Sequence, residues 1–257
     1  CRPRRRWWLP HVLRGRMVEN RSACPYDAAM PRRQLHLLAL LVALFTALLT
    51  SCGGQATEEN SPPLPAGAGL LADSATAMRT ATSTRVGIDV EGELPGVPIK
   101  SAEGQLSKEG LAKGTASLDM GEQRYELAFV IIGTDLYLRG PTGGFRKLST
   151  SSAFLVYDPT VILDPKRGIA AVLASGAAAR TEAREQVGGV DSFRVQARFS
   201  GQSLDKLVPG FTQDSTSRVW IAANGFRLVQ AQFPTTAGTI TFRFSDYDAP
   251  VDISAPI

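Results

Sequence analysis

Beyond residue 80, apolar and polar residues alternate with a period of two. Val86, Ile88 and Val90 are spaced by Gly87, Asp89 and Glu91. Phe193, Val195, Ala197 and Phe199 are spaced by Arg194, Gln196 and Arg198. Successive side chains of a strand point to opposite faces, so each run predicts a strand with one apolar face. Further strands are predicted at about 99–107, 111–120, 123–132, 136–139, 145–148 and 178–187. Turn residues bound them at Pro95-Gly96, Lys108-Glu109-Gly110, Gly121-Glu122 and Gly133-Thr134-Asp135. The segment 124–132 (RYELAFVII) is more continuously apolar, which predicts burial on both faces. Asn224-Gly225, between residues 218–223 and 226–233, has the chemistry of a two-residue type I′ hairpin. A last long strand (TITFRFSDY) follows at 239–247.

Helical spacing is confined to a few short segments. Leu71, Ala75 and Met78 fit a helix over 70–80. Residues 159–163 and 165–174 each begin with proline, which a first helical turn tolerates. Another short helix, 203–208, ends at Pro209-Gly210. About ten strands joined largely by tight turns must pair antiparallel, and the helices are too few for parallel crossovers. The prediction is an α+β domain with one large antiparallel sheet, one face of which needs a cover. A sheet this large twists and curls, and Gly87, Gly92, Gly104 and Gly114 are where it can bend.

One segment is apolar without alternation. Residues 35–49 (LHLLALLVALFTALL) form a run of 15, shorter than the ~20 residues that cross a bilayer comfortably. Met30, Arg32 and Arg33 precede it, and Leu49-Thr50-Ser51-Cys52 follows it. A short basic start, a compact apolar stretch and small residues at the end predict a signal peptide over 30–51. The last four residues resemble a lipobox, whose cysteine is acylated and becomes the first residue after cleavage. Cys52 is the expected lipidation site, and a buried helix ending in cysteine is the plainer alternative. Residues 1–29 fit no part of this scheme and read as an extension from a wrongly chosen upstream start, with a long n-region as the plainer alternative. Residues 52–69, small, polar and proline-rich, read as a lipidated flexible tether, leaving 70–257 as the folded domain.

This segmentation changes the charge. Nine of the 28 Lys and Arg and 2 of the 24 acidic residues precede Cys52, which leaves 19 basic and 22 acidic side chains, a net charge of −3. The overall basic balance is therefore no argument for a nucleic-acid partner. His11 and His36, with Cys1 and Cys24, fall in the removed part, so neither a disulfide nor a Cys or His metal site is expected after it.

Chemistry is correspondingly scarce. Ser203-Leu204-Asp205-Lys206 matches S-x-x-K of serine–lysine enzymes, but the companion motifs are missing. A helix start with Ser203 as cap and Lys206 solvated explains it more simply. Asp246 and Asp248 could share a strand face as a carboxylate pair or metal ligands, yet polar strand ends are common. Arg194 and Arg198 could bind an anion, or simply form a solvated face. No catalytic residue, cofactor or metal is expected. The apolar faces either fill a core or line a ligand cavity.

Three stretches carry a family resemblance. They are Pro95-Gly96 after a Val-Glu-Gly strand, Ile162-Leu163-Asp164-Pro165 leading into 168–174 (GIAAVLA), and the tail from Val219-Trp220-Ile221 through 228–232 (LVQAQ) to Tyr247-Asp248-Ala249-Pro250-Val251. In order and spacing they resemble the mycobacterial lipoprotein family of LppX, LprG, LprA and LprF, across the lipobox and nearly all of 70–256. Ser245-Asp246-Tyr247 departs from the family's Ser-x-Trp. The resemblance implies an open half-barrel whose concave face is covered by helices around an apolar cavity. It further implies a non-enzymatic carrier of acylated lipids or glycolipids. Such a carrier would be anchored on the extracytoplasmic face of the cell membrane, with a membrane exporter as a partner. The segment Gly114–Met120 matches a strand bordering the family's cavity. Ala116, Leu118 and Met120 are thus the first candidates for acyl-chain contact, with Phe129, Ile131 and Leu173 beside them. The rival reading is an envelope protein-interaction module without a ligand cavity.

Overall fold

In the computed structural model, which describes residues 63–92, 98–120, 123–149 and 158–256, with Met120 described in its backbone alone, residues 84–90 and 193–199 alternate in burial as expected. The signal segment, Cys52 and the predicted turns at Pro95-Gly96 and Gly121-Glu122 lie outside the described residues. The strands are β1 (Ser83–Gly92), β2 (Ile99–Ser107), β3 (Leu111–Met120), β4 (Gln123–Ile132), β5 (Asp135–Arg139) and β6 (Arg146–Ser149), then β7 (Ala177–Val187), β8 (Val190–Phe199), β9 (Ser215–Ala222), β10 (Leu228–Pro234) and β11 (Gly238–Ser245). They form one antiparallel sheet in the order β6-β5-β4-β3-β2-β1-β11-β10-β9-β8-β7. The chain steps outward from the centre to β6, crosses over, and steps back from β7 until β11 pairs with β1. The two edges do not meet, so the curved sheet stays open. Both are protected against further pairing: β6 is exposed and carries Arg146 and Lys147, and β7 is charged and twice bulged.

One face of this sheet is apolar from β5 through β1 and β11 to β8. Val86 lies opposite Phe244, Ile88 opposite Phe242 and Val90 opposite Ile240. These residues belong to a single buried cluster that also takes in α1 (Gly67–Thr80) and α2 (Ile169–Ala174). Helix α1 packs on β7 and β8, α2 on α1, α3 (Gly201–Leu207) on α2, and the 3₁₀ turn Pro159–Leu163 over β2 and β3. Burial on both faces of β4 holds for Phe129, Val130 and Ile131, while Gln123–Glu126 are exposed.

Gly104 of β2 and Gly114 of β3 face each other in register. A Cβ on Gly114 would stand 2.2 Å from the Glu103 carbonyl oxygen, and one on Gly104 would stand 2.7 Å from that of Lys113. The strands approach here as only glycine permits, which fits the expected bend. Gly87 is different, because a Cβ there meets nothing closer than 3.9 Å.

Four local expectations are corrected. Helix α1 starts at Gly67, inside the segment read as tether. Gly67 is small for packing, since a Cβ would fall 2.8 Å from the Arg180 backbone nitrogen. Residues 165–168 are a turn, because the Asp164 carboxylate accepts the N–H groups of Lys166 (2.8 Å) and Arg167 (2.9 Å), delaying α2 to Ile169. The cap of α3 is Ser200, whose hydroxyl accepts from the Ser203 N–H at 3.3 Å. The β9–β10 connection is longer than a two-residue hairpin. Gly225 and Phe226 take positive φ (74° and 54°), and the Ala222 N–H bonds the Arg227 carbonyl.

The other sheet face is polar and laced with ion pairs. The Glu182 carboxylate meets Arg218 (2.9 Å), Arg194 (3.2 Å) and Arg180 (3.2 Å). Arg194 also meets Glu185 at 3.0 Å, and Glu185 accepts the Trp220 indole N–H at 2.7 Å. Hydrogen bonding to Arg218 holds the Glu182 carboxyl below the usual carboxylate range. A depressed folded pKa means that its stabilisation is complete above the unfolded pKa and is lost as pH falls through the folded one. Glu182→Gln should therefore be less stable than wild type at neutral pH in urea melts, with the gap closing in acid.

Candidate functional site

Across β2 to β5 the apolar face changes in height. On β2 and β3 its residues are Ala102 and Gly104, paired with Ala116 and Gly114, and Leu106, paired with Ala112. On β4 and β5 they become Leu127, Phe129 and Ile131, then Leu136 and Leu138. On the other flank β1 and β11 contribute Ile88 and Phe242. Short side chains between tall ones make a shallow trough, roofed by the 3₁₀ turn, whose Ile162 and Leu163 are buried.

Ala116, Phe129, Ile131 and Leu173 all fall in the same contiguous apolar cluster, with Ala116 retaining 7% exposure. Leu118 is buried opposite Ile99, outside that cluster. The side chain of Met120 and all of Cys52 lie outside the described residues.

A second feature escaped the pattern analysis. On the polar face an open groove of about 1360 Å³ runs from Gly140, Pro141 and Gly143 after β5 to Val187, Gly188 and Val190 at the β7–β8 turn. A twisted sheet is saddle-shaped, so the face away from the helices is also hollow along one diagonal. Gly87, Ser101, Thr115 and Ser117 lie along its middle. Ile88, Ala102 and Ala116 border it too, but alternation turns their side chains to the apolar face.

One lining residue, Arg227, ties the groove to helix α1. Arg227 donates to the Ala77 carbonyl near the end of α1, pairs with Asp248 at 2.6 Å, and lies over the Tyr247 ring at 5.1 Å. The Asp248 carboxylate also accepts the Thr82 N–H at 2.8 Å, and this bond leads in lowering its pKa. The Tyr247 hydroxyl donates to the Leu228 carbonyl at 2.5 Å, and burial pushes its pKa well up.

The remaining candidates are separated by their partners. Asp246 and Asp248 lie beyond β11 with positive φ; Asp246 pairs with Arg85 and Asp248 with Arg227, so they form no carboxylate pair. Among the described residues no group of His, Cys, Asp and Glu suits a metal ion. Arg194 is engaged by Glu182 and Glu185, and Arg198 by Asp214 at 3.0 Å, which removes the anion reading. The Ser203 hydroxyl bonds that of Ser200 at 3.0 Å, and Lys206 is exposed.

The chain is similar to several known proteins. Lipoarabinomannan carrier protein LprG of Mycolicibacterium smegmatis is 31% identical over 232 residues, covering 88% of this chain and 98% of that protein. LprG of Mycobacterium tuberculosis is 27% identical over 232 residues, with the same coverage. The crystal structure of LprF from Mycobacterium bovis shares the fold with a TM-score of 0.68 at 23% identity, covering 76% of this chain and 99% of LprF. Lipoprotein LppX of Mycobacterium tuberculosis gives 0.56 at 20% identity, covering 72% and 98%. Residues 66–253 match the profile of the LppX_LprAFG lipoproteins, and the chain belongs to that family.

Proposed function

We propose that the protein carries acylated lipids or glycolipids, holding their acyl chains between the apolar sheet face and the helices. The observation that carries this reading is the trough of Ala102, Gly104, Ala112, Gly114 and Ala116 under the 3₁₀ turn, in a chain whose relatives are named lipoarabinomannan carriers. Burying acyl chains supplies ~0.8 kcal/mol per CH₂, so affinity needs no polar site and no catalytic group. Lipid class is then set by chain number and length more than by hydrogen bonding.

In this reading Cys52 carries the diacylglyceryl and palmitoyl-type anchor, 30–51 is the signal peptide, and the carrier works on the extracytoplasmic face of the cell membrane. A single acyl chain anchors only reversibly, whereas two or more hold stably. Cys52→Ala should abolish metabolic labelling by a palmitate analogue. Labelling that persists would exclude Cys52 as the anchor.

The direct test is mass spectrometry of solvent extracts of the purified protein, with uptake of a fluorescent acyl probe in parallel. Co-purifying acylated lipid and saturable uptake are expected. Neither lipid nor uptake would leave the interaction-module reading standing.

A further inference from the structure

We propose that the groove on the polar face of the sheet is a second binding site, for a neutral oligosaccharide. It does not depend on the apolar face holding acyl chains, because it lies on the opposite side of the same strands.

The shape argues for a chain-like ligand. The lining residues come from ten adjacent strands, β5 to β7 by way of β1 and β11. At ~4.8 Å per strand the groove is roughly 40 Å long measured along the sheet. Its volume exceeds the ~300–1,000 Å³ of ordinary small-molecule pockets.

The charges argue for neutrality. Arg85, Arg139, Arg227 and Arg243 line the groove, and so do Asp89, Glu103, Glu126 and Asp246. The guanidiniums are already engaged. Arg85 meets Glu103 (3.1 Å) and Asp246 (3.0 Å), and Arg243 meets Asp89. Arg227 meets Asp248, and Arg139 lies over the Phe145 ring. The net charge of zero offers no field for a nucleic acid, which needs unpaired cations for its phosphates. An extended peptide is also disfavoured. Peptides add to sheet edges through backbone hydrogen bonds, and the backbone of these strands is already paired. Besides Val187, Val190, Ala222 and Val229 toward its β7–β8 end, the groove presents carboxylates, guanidiniums and the hydroxyls of Ser101, Thr115 and Ser117. Those are the partners that sugar hydroxyls take.

Gly87 is the independent observation. It sits in central strand β1, where glycine costs about 0.5–1 kcal/mol relative to alanine. Nothing in the fold requires it: its φ is not positive, and the nearest atoms to an added Cβ are Cβ and Nε of Arg243, both at 3.9 Å. A strand glycine that neither turns nor admits another backbone marks a place where a ligand approaches closely.

The test uses the full chain in a sugar-free detergent, titrated by calorimetry with mannohexaose and arabinohexaose. Wild type should bind at least one of them saturably. Gly87→Leu and the strand-favouring Gly87→Thr should weaken binding by about tenfold or more, with melting temperature kept or slightly raised and acyl-probe uptake unchanged. Absence of saturable binding by wild type, or equal affinity in folded Gly87 variants, would overturn the site. Loss of acyl-probe uptake in wild type would instead count against the carrier reading alone. A glycolipid bearing the same sugars decides the source of the glycan. Weaker glycolipid binding in the Gly87 variants means that the groove holds the sugar of the carried lipid. Unchanged glycolipid binding means that it holds a separate glycan.

Discussion

Phe233→Ala is expected to cost about 3–5 kcal/mol of folding stability. The Phe233 ring is 2% exposed and stands edge-on to three others: Phe199 at 5.9 Å, Phe242 at 6.0 Å and Phe211 at 6.5 Å. Edge-to-face packing adds to the area buried, so truncation forfeits both and leaves a hollow that neighbouring strands are too well paired to fill. These four rings come from β8, β10, β11 and the loop after α3, so the cluster ties one half of the sheet to the segment that follows its helix. Thermal unfolding should show a fall of roughly 10 °C. A loss below about 1 kcal/mol would mean that this part of the interior is loosely packed, against the expectation for a close-packed core.

The strands were legible because each carries its own pattern. Val86, Ile88 and Val90 point one way whatever they pair with, and a slip of one residue would expose them all. What the pattern could not supply is distance. The Gly67-Ala68-Gly69 stretch has the composition of a linker, and only the approach of β7 shows that Gly67 is there to let α1 sit close. Arg194 and Arg198 look available on their own strand. Their partners come from β7 and from Asp214, which no spacing along β8 reveals. The same holds for Asp246 and Asp248, drawn to Arg85 and Arg227 rather than to each other.

The candidate site divides along the same line. Alternation is enough to put Ala116, Phe129 and Ile131 on the buried face of their strands, whereas their candidacy for acyl-chain contact rests on the family resemblance. The depth of the site was not legible, because the trough comes from small residues on β2 meeting small residues on β3, a property of register. The polar groove was missed outright. Its residues are those that any solvated sheet face would carry, and only curvature makes them a hollow. The single sequence signal was Gly87, which alternation had reduced to a possible bend.

Ala116→Trp separates a ligand space from a filled core. Ala116 faces Ala102 on one side and Leu127 on the other, both only partly buried. Under the carrier reading, an indole there takes room that an acyl chain would use. The fold tolerates it, because that room is otherwise held by exchangeable ligand. Uptake of an acyl probe should fall to background while thermal stability stays close to wild type. In a close-packed core the same change is overpacking, which costs about 1–3 kcal/mol. Ala116→Val serves as the control, since it adds bulk without spanning the trough and should leave most of the uptake. Stability lost in Ala116→Trp, or uptake unaffected by it, would remove this stretch of β3 from the ligand site. Oligosaccharide binding gives an internal reference. The indole projects from the face opposite the groove, so a variant that loses acyl uptake yet still binds the sugar has kept its sheet intact.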